Sequence, residues 1–153
     1  MYNDDADIIQ TMVTFPAKLD SLPAVVELAT QAAEIACLNA RAIYGVQLAM
    51  EEAFSNIIKH AYGDRGDGDV EFTLISKFSE LTMILRDHGR PFDPDSVPEP
   101  DINASLEDRK LGGLGLYFMR QLMDEVHFEF TPHSGNILTM VKRREPSEFD
   151  TTC

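Results

Sequence analysis

GVQLAMEEAFSNIIKHAY, residues 45 to 62, decides how the rest of the chain is read. Val46, Ala49, Met50, Ala53, Phe54, Ile57 and Ile58 recur at helical spacing, which predicts an amphipathic helix. Glu52 and Asn56 are four apart and stack on one side of it. They fall at the border of the apolar stripe, where side chains can face either solvent or a ligand held at the edge of the core. Glu51 is about a hundred degrees further round and reads as the solvated carboxylate. Taken alone, an ordinary helix flank is the better explanation of Glu52 and Asn56, until the remaining motifs are placed.

Working outward, Ile8 to Phe15 alternates, with Ile9, Val13 and Phe15 on one side, as a strand does. Ser21 is placed as an N-cap with Pro23 in the first turn of a helix over residues 22–37. Asn39 caps the helix of the opening stretch. GDRGDGD, residues 63 to 69, is a turn. Two half-buried strands follow, Val70 to Ser76 and Leu81 to Arg86. RDHGRPFDPDSVPEP then opens a segment of nearly twenty irregular residues, a length at which loops are usually functional or disordered. LGGLGL, residues 111 to 116, leads into an apolar-periodic helix through Leu116, Met119, Leu122 and Met123. Val126 to Thr131 and Ile137 to Lys142 are the last strands. The order β-α-α-β-β-lid-α-β-β predicts an α+β fold, a mostly antiparallel sheet with its helices on one face. Residues 1–142 form one domain with a lid over 94–111, and 143–153, without apolar period, are expected to be a mobile tail.

Composition narrows the function. The chain has 153 residues, 44% hydrophobic and 25% charged, enough for one domain with a core. A net charge of -13 argues against nucleic acid and anionic membranes as partners. A nucleotide bound to so acidic a chain needs local neutralisation by backbone amides, a helix start and a metal ion. No stretch is long and apolar enough to span a bilayer, and MYNDDADIIQ lacks the basic start of a signal peptide. Cys37 and Cys153 lack metal-site spacing. Cys37 falls in a helical pattern as a small apolar residue, and a reducing cytoplasm is the expected location.

Three pieces carry chemistry: Glu52-Ala-Phe-Ser-Asn56 on a helix, Asp87-His-Gly89-Arg-Pro-Phe-Asp-Pro after a strand, and Gly112-Gly113-Leu114-Gly115-Leu116 before a helix. Each alone is weak; their joint occurrence in this order is specific. Asp87, as an ionised carboxylate, only accepts hydrogen bonds. Gly89, lacking Cβ, lets a base lie close to the backbone. Gly113 and Gly115 free backbone N–H groups for phosphate, with a helix start at Leu116 favouring negative charge. No GxxxxGK[ST] is present, so this is not a P-loop. Asn56 offers a carboxamide oxygen of the kind hard cations take, and Glu52 a carboxylate able to accept a proton. His60 lies on the side of Asn56, as a phosphate contact or a structural histidine. Arg109 and Lys110 neutralise phosphate or solvate the loop, Lys110 being the one assigned to the site.

Together the three pieces resemble the N box and the two glycine boxes of the GHKL, or Bergerat-fold, ATPases, over about residues 39–142. EEAFSNIIKHAYG, DHGRPFDP and GLGLYFMRQLMDEV are most similar to the RsbW-type anti-sigma factor serine/threonine kinases. The resemblance implies ATP or ADP with Mg²⁺ as cofactors, with Asp87 accepting from the adenine amino group, Asn56 on Mg²⁺ and Glu52 as general base, in a kinase that phosphorylates a STAS-type anti-anti-sigma protein. It also implies a sigma factor as second partner, and a homodimer. A nucleotide-dependent binding module and a simple ATPase are the alternatives. The sequence departs from the family where a Thr-Thr pair often starts the last strand. Asn136-Ile137 stands there, so Thr139, or no side chain, is expected to help hold the adenine.

Overall fold

The computed structural model describes residues 8–96 and 111–145. Strands β1 (Ile9–Pro16), β2 (Asp69–Lys77), β3 (Glu80–Asp87), β4 (Glu125–Thr131) and β5 (Gly135–Arg143) form one sheet. Their order across it is β1-β2-β3-β5-β4, and every neighbouring pair is antiparallel. Helices α1 (Leu22–Ile35), α2 (Ala40–Asn56) and α3 (Leu111–Leu122) supply the second layer, which is the α+β architecture read from the element order.

Strand alternation sets which side chains meet the helices. Val70, Phe72, Leu74 and Ser76 of β2, and Leu81, Met83, Leu85 and Asp87 of β3, are buried on the helix side. The apolar ones pack with Val25 and Ala29 of α1, with Val46, Met50 and Phe54 of α2, and with Met119 of α3 in one cluster. Each buried Val, Leu, Phe or Met contributes about 1.5–3 kcal/mol by burial. The opposite face is half-buried: Thr73, Ile84 and Thr139 are directly paired neighbours there. Arg86 meets Glu71 on the same face at 2.5 Å.

Among the described residues three polar side chains are buried: Ser76, Asp87 and Asn136. Buried polar groups need partners, and the partners separate structure from site. The Ser76 hydroxyl donates to the Ala32 carbonyl at 2.9 Å, pinning α1 to β2. Asp87 and Asn136 bond to each other at the end of the sheet facing α2.

Helix α2 starts as the sequence reads. Asn39 Oδ1 accepts from the Ala42 N–H at 2.8 Å. Its far end is less regular, because Ile57–Ala61 continues as a π-turn, an expansion often found at functional sites. Elsewhere the chain departs from expectation. Ser21 is itself in helical conformation and makes no capping bond; a 3₁₀ turn, Leu19–Ser21, runs straight into α1. Helix α1 ends at Ile35, and Cys37 follows it in the turn, half-buried at φ 64°. Strand β5 runs to Arg143, whose guanidinium meets Glu80 and Glu125. The Arg144 N–H donates to the Ser79 carbonyl at 2.8 Å, and its guanidinium sits 5.3 Å over the Phe78 ring. The first residue assigned to the tail, Arg143, therefore belongs to the sheet, and Arg144 is held against it; 146–153, like most of the lid (97–110), lie outside the described residues. Among the described residues no helix is long and apolar enough to cross a membrane.

Candidate active site

Helix α2 and its π-turn face the ends of β3 and β5 across a cleft open to solvent. Asn56, Ile57 and His60 line one side; Asp87, Asn136 and Leu138 line the other. Phe92, Met119 and Phe128 complete apolar walls, with the Phe92 and Phe128 rings tilted at 5.1 Å between centroids. A mostly apolar cleft with a few convergent polar groups is the ordinary form of a small-molecule site.

Asp87 closes the deep end. It is the last residue of β3, and its Oδ1 accepts from the Gly89 N–H and from Asn136 Nδ2, both at 2.9 Å. Its Oδ2 accepts nothing from the described residues. Burial pushes the Asp87 carboxyl above its usual range, opposed by the Asn136 hydrogen bond, the Gly89 N–H and the adjacent His88. The segment leaving β3 is tied to α2's continuation. The His88 N–H donates to the Tyr62 hydroxyl at 2.9 Å, and that hydroxyl donates to the Asp69 carbonyl at 2.8 Å. The Arg90 N–H donates to the Ala61 carbonyl at 2.8 Å.

Gly89 acquires a different reason from the one expected. A Cβ there would be driven into the Ala61 carbonyl. The glycine is needed for the π-turn's backbone to approach, whatever else the cleft holds. Thr139 does not reach the cleft. It pairs with Ile84 and His127 on the far face of the sheet, because the period of two that points Asn136 and Leu138 inward points Thr139 outward. Asn136 is the site residue that sequence reading passed over: the Thr-Thr pattern invited a search for a hydroxyl nearby, and a carboxamide holds the place.

At the other end, Glu52 and Asn56 are half-buried one turn apart, while Glu51 is exposed. Among the described residues neither Glu52 nor Asn56 makes a side-chain hydrogen bond. Gly115 is buried against them: a Cβ at that position would lie 2.5 Å from Glu52 Oε2 and 3.6 Å from Asn56 Nδ2. The glycine lets α3 lie directly on the carboxylate. Within the described residues α3 runs Leu111–Leu122, so Leu116 is inside it, buried in the core, and is not a helix start. Gly112, Gly113 and Leu114 lie in the first described turn of the helix. His60 is exposed at the rim. Arg109 and Lys110 lie outside the described residues.

The donor set also bears on a metal. Among the described residues no group of three or more His, Cys, Asp or Glu is arranged to hold one. Asn56 and Glu52 offer two adjacent oxygen-bearing side chains, which fits Mg²⁺ carried in with phosphates and water, the usual way proteins bind that ion beside nucleotides.

A five-stranded antiparallel sheet, helices on one face and a cleft between them define an ATPase domain of the histidine-kinase type. The chain belongs to the histidine kinase-like ATPase domain family, whose model matches residues 15–142. It is similar to the serine-protein kinase RsbW of Halalkalibacterium halodurans, 34% identical over 112 residues, 71% of this chain and 67% of that one. It is similar also to the RsbW of Bacillus pumilus, 37% identical over 118 residues, 72% of each chain. The anti-sigma F factor of Clostridium novyi is 31% identical over 106 residues, 69% of this chain and 74% of that one.

Proposed function

We propose that this chain is a serine/threonine protein kinase of the RsbW type, which moves the γ-phosphoryl of ATP to a hydroxyl of a STAS-type antagonist protein and also sequesters a sigma factor. The observation that carries the reading is the placing of Asp87 and Asn56 on opposite sides of one cleft, with Glu52 one turn from Asn56. That spacing suits a nucleotide lying lengthwise, base at the strand ends and phosphates at α2. The relatives named as serine-protein kinases and as an anti-sigma factor support the same reading.

Each residue then has a role. Asp87 accepts from the adenine amino group through Oδ2. The first-turn amides of α3, at Gly112, Gly113 and Leu114, face phosphate oxygens, with Lys110 and His60 as further contacts. Asn56 holds Mg²⁺, which supplies charge neutralisation at the phosphates when bound. Glu52 takes the proton of the attacking serine or threonine as its oxygen bonds to the γ-phosphorus and the bond to the bridging oxygen breaks, releasing ADP. A cytoplasmic homodimer is the assembly we propose.

Incubating the protein with γ-labelled ATP, Mg²⁺ and a STAS-type antagonist tests this. Label on the antagonist is the expected result. Label appearing only as inorganic phosphate would make the protein a simple ATPase. Nucleotide uptake with no transfer would make it a binding module.

A further inference from the structure

Asn136 stands at the start of β5, 8% exposed, and its carboxamide makes three hydrogen bonds. Nδ2 donates to Asp87 Oδ1 at 2.9 Å and to the Arg90 carbonyl at 2.8 Å. Oδ1 accepts from the Phe92 N–H at 3.0 Å. Two acceptors face the nitrogen and one donor faces the oxygen, so the reversed amide would set N–H against N–H. One side chain therefore ties together three positions of the segment leaving β3: the carboxylate at 87, the carbonyl at 90 and the amide at 92.

The consequence falls on Asp87. A carboxylate turns freely about its terminal torsion, whose preferences are broad. Here two donors, the Gly89 N–H and Asn136 Nδ2, occupy the same oxygen. That decides which oxygen is spoken for and which remains to accept from a ligand. The Gly89 bond alone is local, two residues along the chain. The Asn136 bond comes from another strand and fixes the carboxylate relative to the wall of the cleft.

We propose that Asn136 is a positioning residue for base selection, holding Asp87 Oδ2 toward the ligand so that a purine carrying an amino group is preferred over one carrying a carbonyl at the same place. The proposal rests on the reading of Asp87 as the acceptor for adenine. An amino group donates to Oδ2; a carbonyl oxygen there sets acceptor against acceptor. Replacing the carboxamide by carboxylate would remove both donors and face Asp87 with a like charge. Replacing it by a methyl group would remove all three bonds and leave Asp87 held from its own chain alone.

Calorimetric titration of the full chain with ADP and with IDP, each with Mg²⁺, tests this on wild type and Asn136→Ala. Asn136→Ser is read in the same way should the alanine variant not fold. Wild type should prefer ADP. The variant should lose about tenfold in ADP affinity while IDP affinity stays nearly constant, so that the preference shrinks. A parallel loss for both nucleotides, or an unchanged preference, would reduce Asn136 to a structural clamp and overturn the proposal. Wild type with no preference at all would instead refute the reading of Asp87 itself, which keeps the two failures distinguishable.

Discussion

The two ends of the cleft are built on opposite plans. At the strand ends Asp87 is bonded to Asn136 and to the Gly89 amide, Asn136 to two further backbone groups, and Arg90 to the π-turn. At α2, Glu52 and Asn56 have no such partners among the described residues, only the bare backbone of Gly115 beside them. One end is tied to its neighbours through Asp87 Oδ1 and Asn136, so its geometry is fixed by the fold and only Asp87 Oδ2 is left open. Among the described residues the other end is held by no side-chain hydrogen bond, leaving oxygens that a hydroxyl, a phosphate or a cation would complete. On the proposed reading, recognition is preorganised and the groups for chemistry are left available.

The sharpest way to break this contrast is at Glu52. Glu52→Gln should lower phosphoryl transfer by about 10²–10⁴-fold, the usual contribution of a general base, with ADP affinity nearly unchanged. Transfer assays and calorimetry on the same preparation check both halves. Parallel loss of rate and affinity would remove Glu52 from the role of base.

Asp87→Asn attacks the other end and should show the reverse pattern. ADP affinity should fall by roughly tenfold to a hundredfold, the loss of a hydrogen bond to a charged group. Thermal stability should hold or rise, because a buried charge has been removed. Undiminished affinity in a titration would contradict the assignment.

The same carboxyl gives a pH dependence whose sign is fixed. Burial raises its folded-state pKa, so the folded protein binds this proton more tightly than the unfolded chain does. The stability cost of ionising Asp87 is fully present above the folded pKa and absent below the unfolded value. Any stability advantage of Asp87→Asn should therefore shrink as pH falls through that interval. Wild-type ADP affinity should fall with it, beginning above the ordinary carboxylate range, and thermal melts and titrations across pH would show both. An advantage constant in pH would mean the burial is not felt by the charge. Gly89→Ala should act on stability, because the new methyl meets the Ala61 backbone carbonyl, which cannot give way cheaply. A loss of about 1–3 kcal/mol by overpacking, read as a lowered melting temperature, is the expected outcome.

The contrast also explains what could be read from the sequence. The element order and all five strands were legible, because the sheet is half-buried and its alternation is clean from Val70 to Arg86. Glu52 and Asn56 were legible because a helix converts spacing four into proximity. Asp87 stood out through the motif around it. Asn136 did not, since its meaning depends on the register that sets it opposite Asp87, a contact across 49 positions of chain. Thr139 was misassigned for want of the same parity. Gly89 and Gly115 were marked as needed, but which neighbour needs them is a tertiary fact: the Ala61 backbone for one, the Glu52 carboxylate for the other. That residues 111–115 are already helical was hidden because paired glycines read as a loop, and packing overrides that propensity.

The most direct test is calorimetric titration of the wild-type protein with ADP and Mg²⁺, repeated on Asp87→Asn. The account predicts saturable uptake of one nucleotide per chain by wild type and a much weaker signal from the variant. No uptake by wild type, or equal uptake by both, would contradict it.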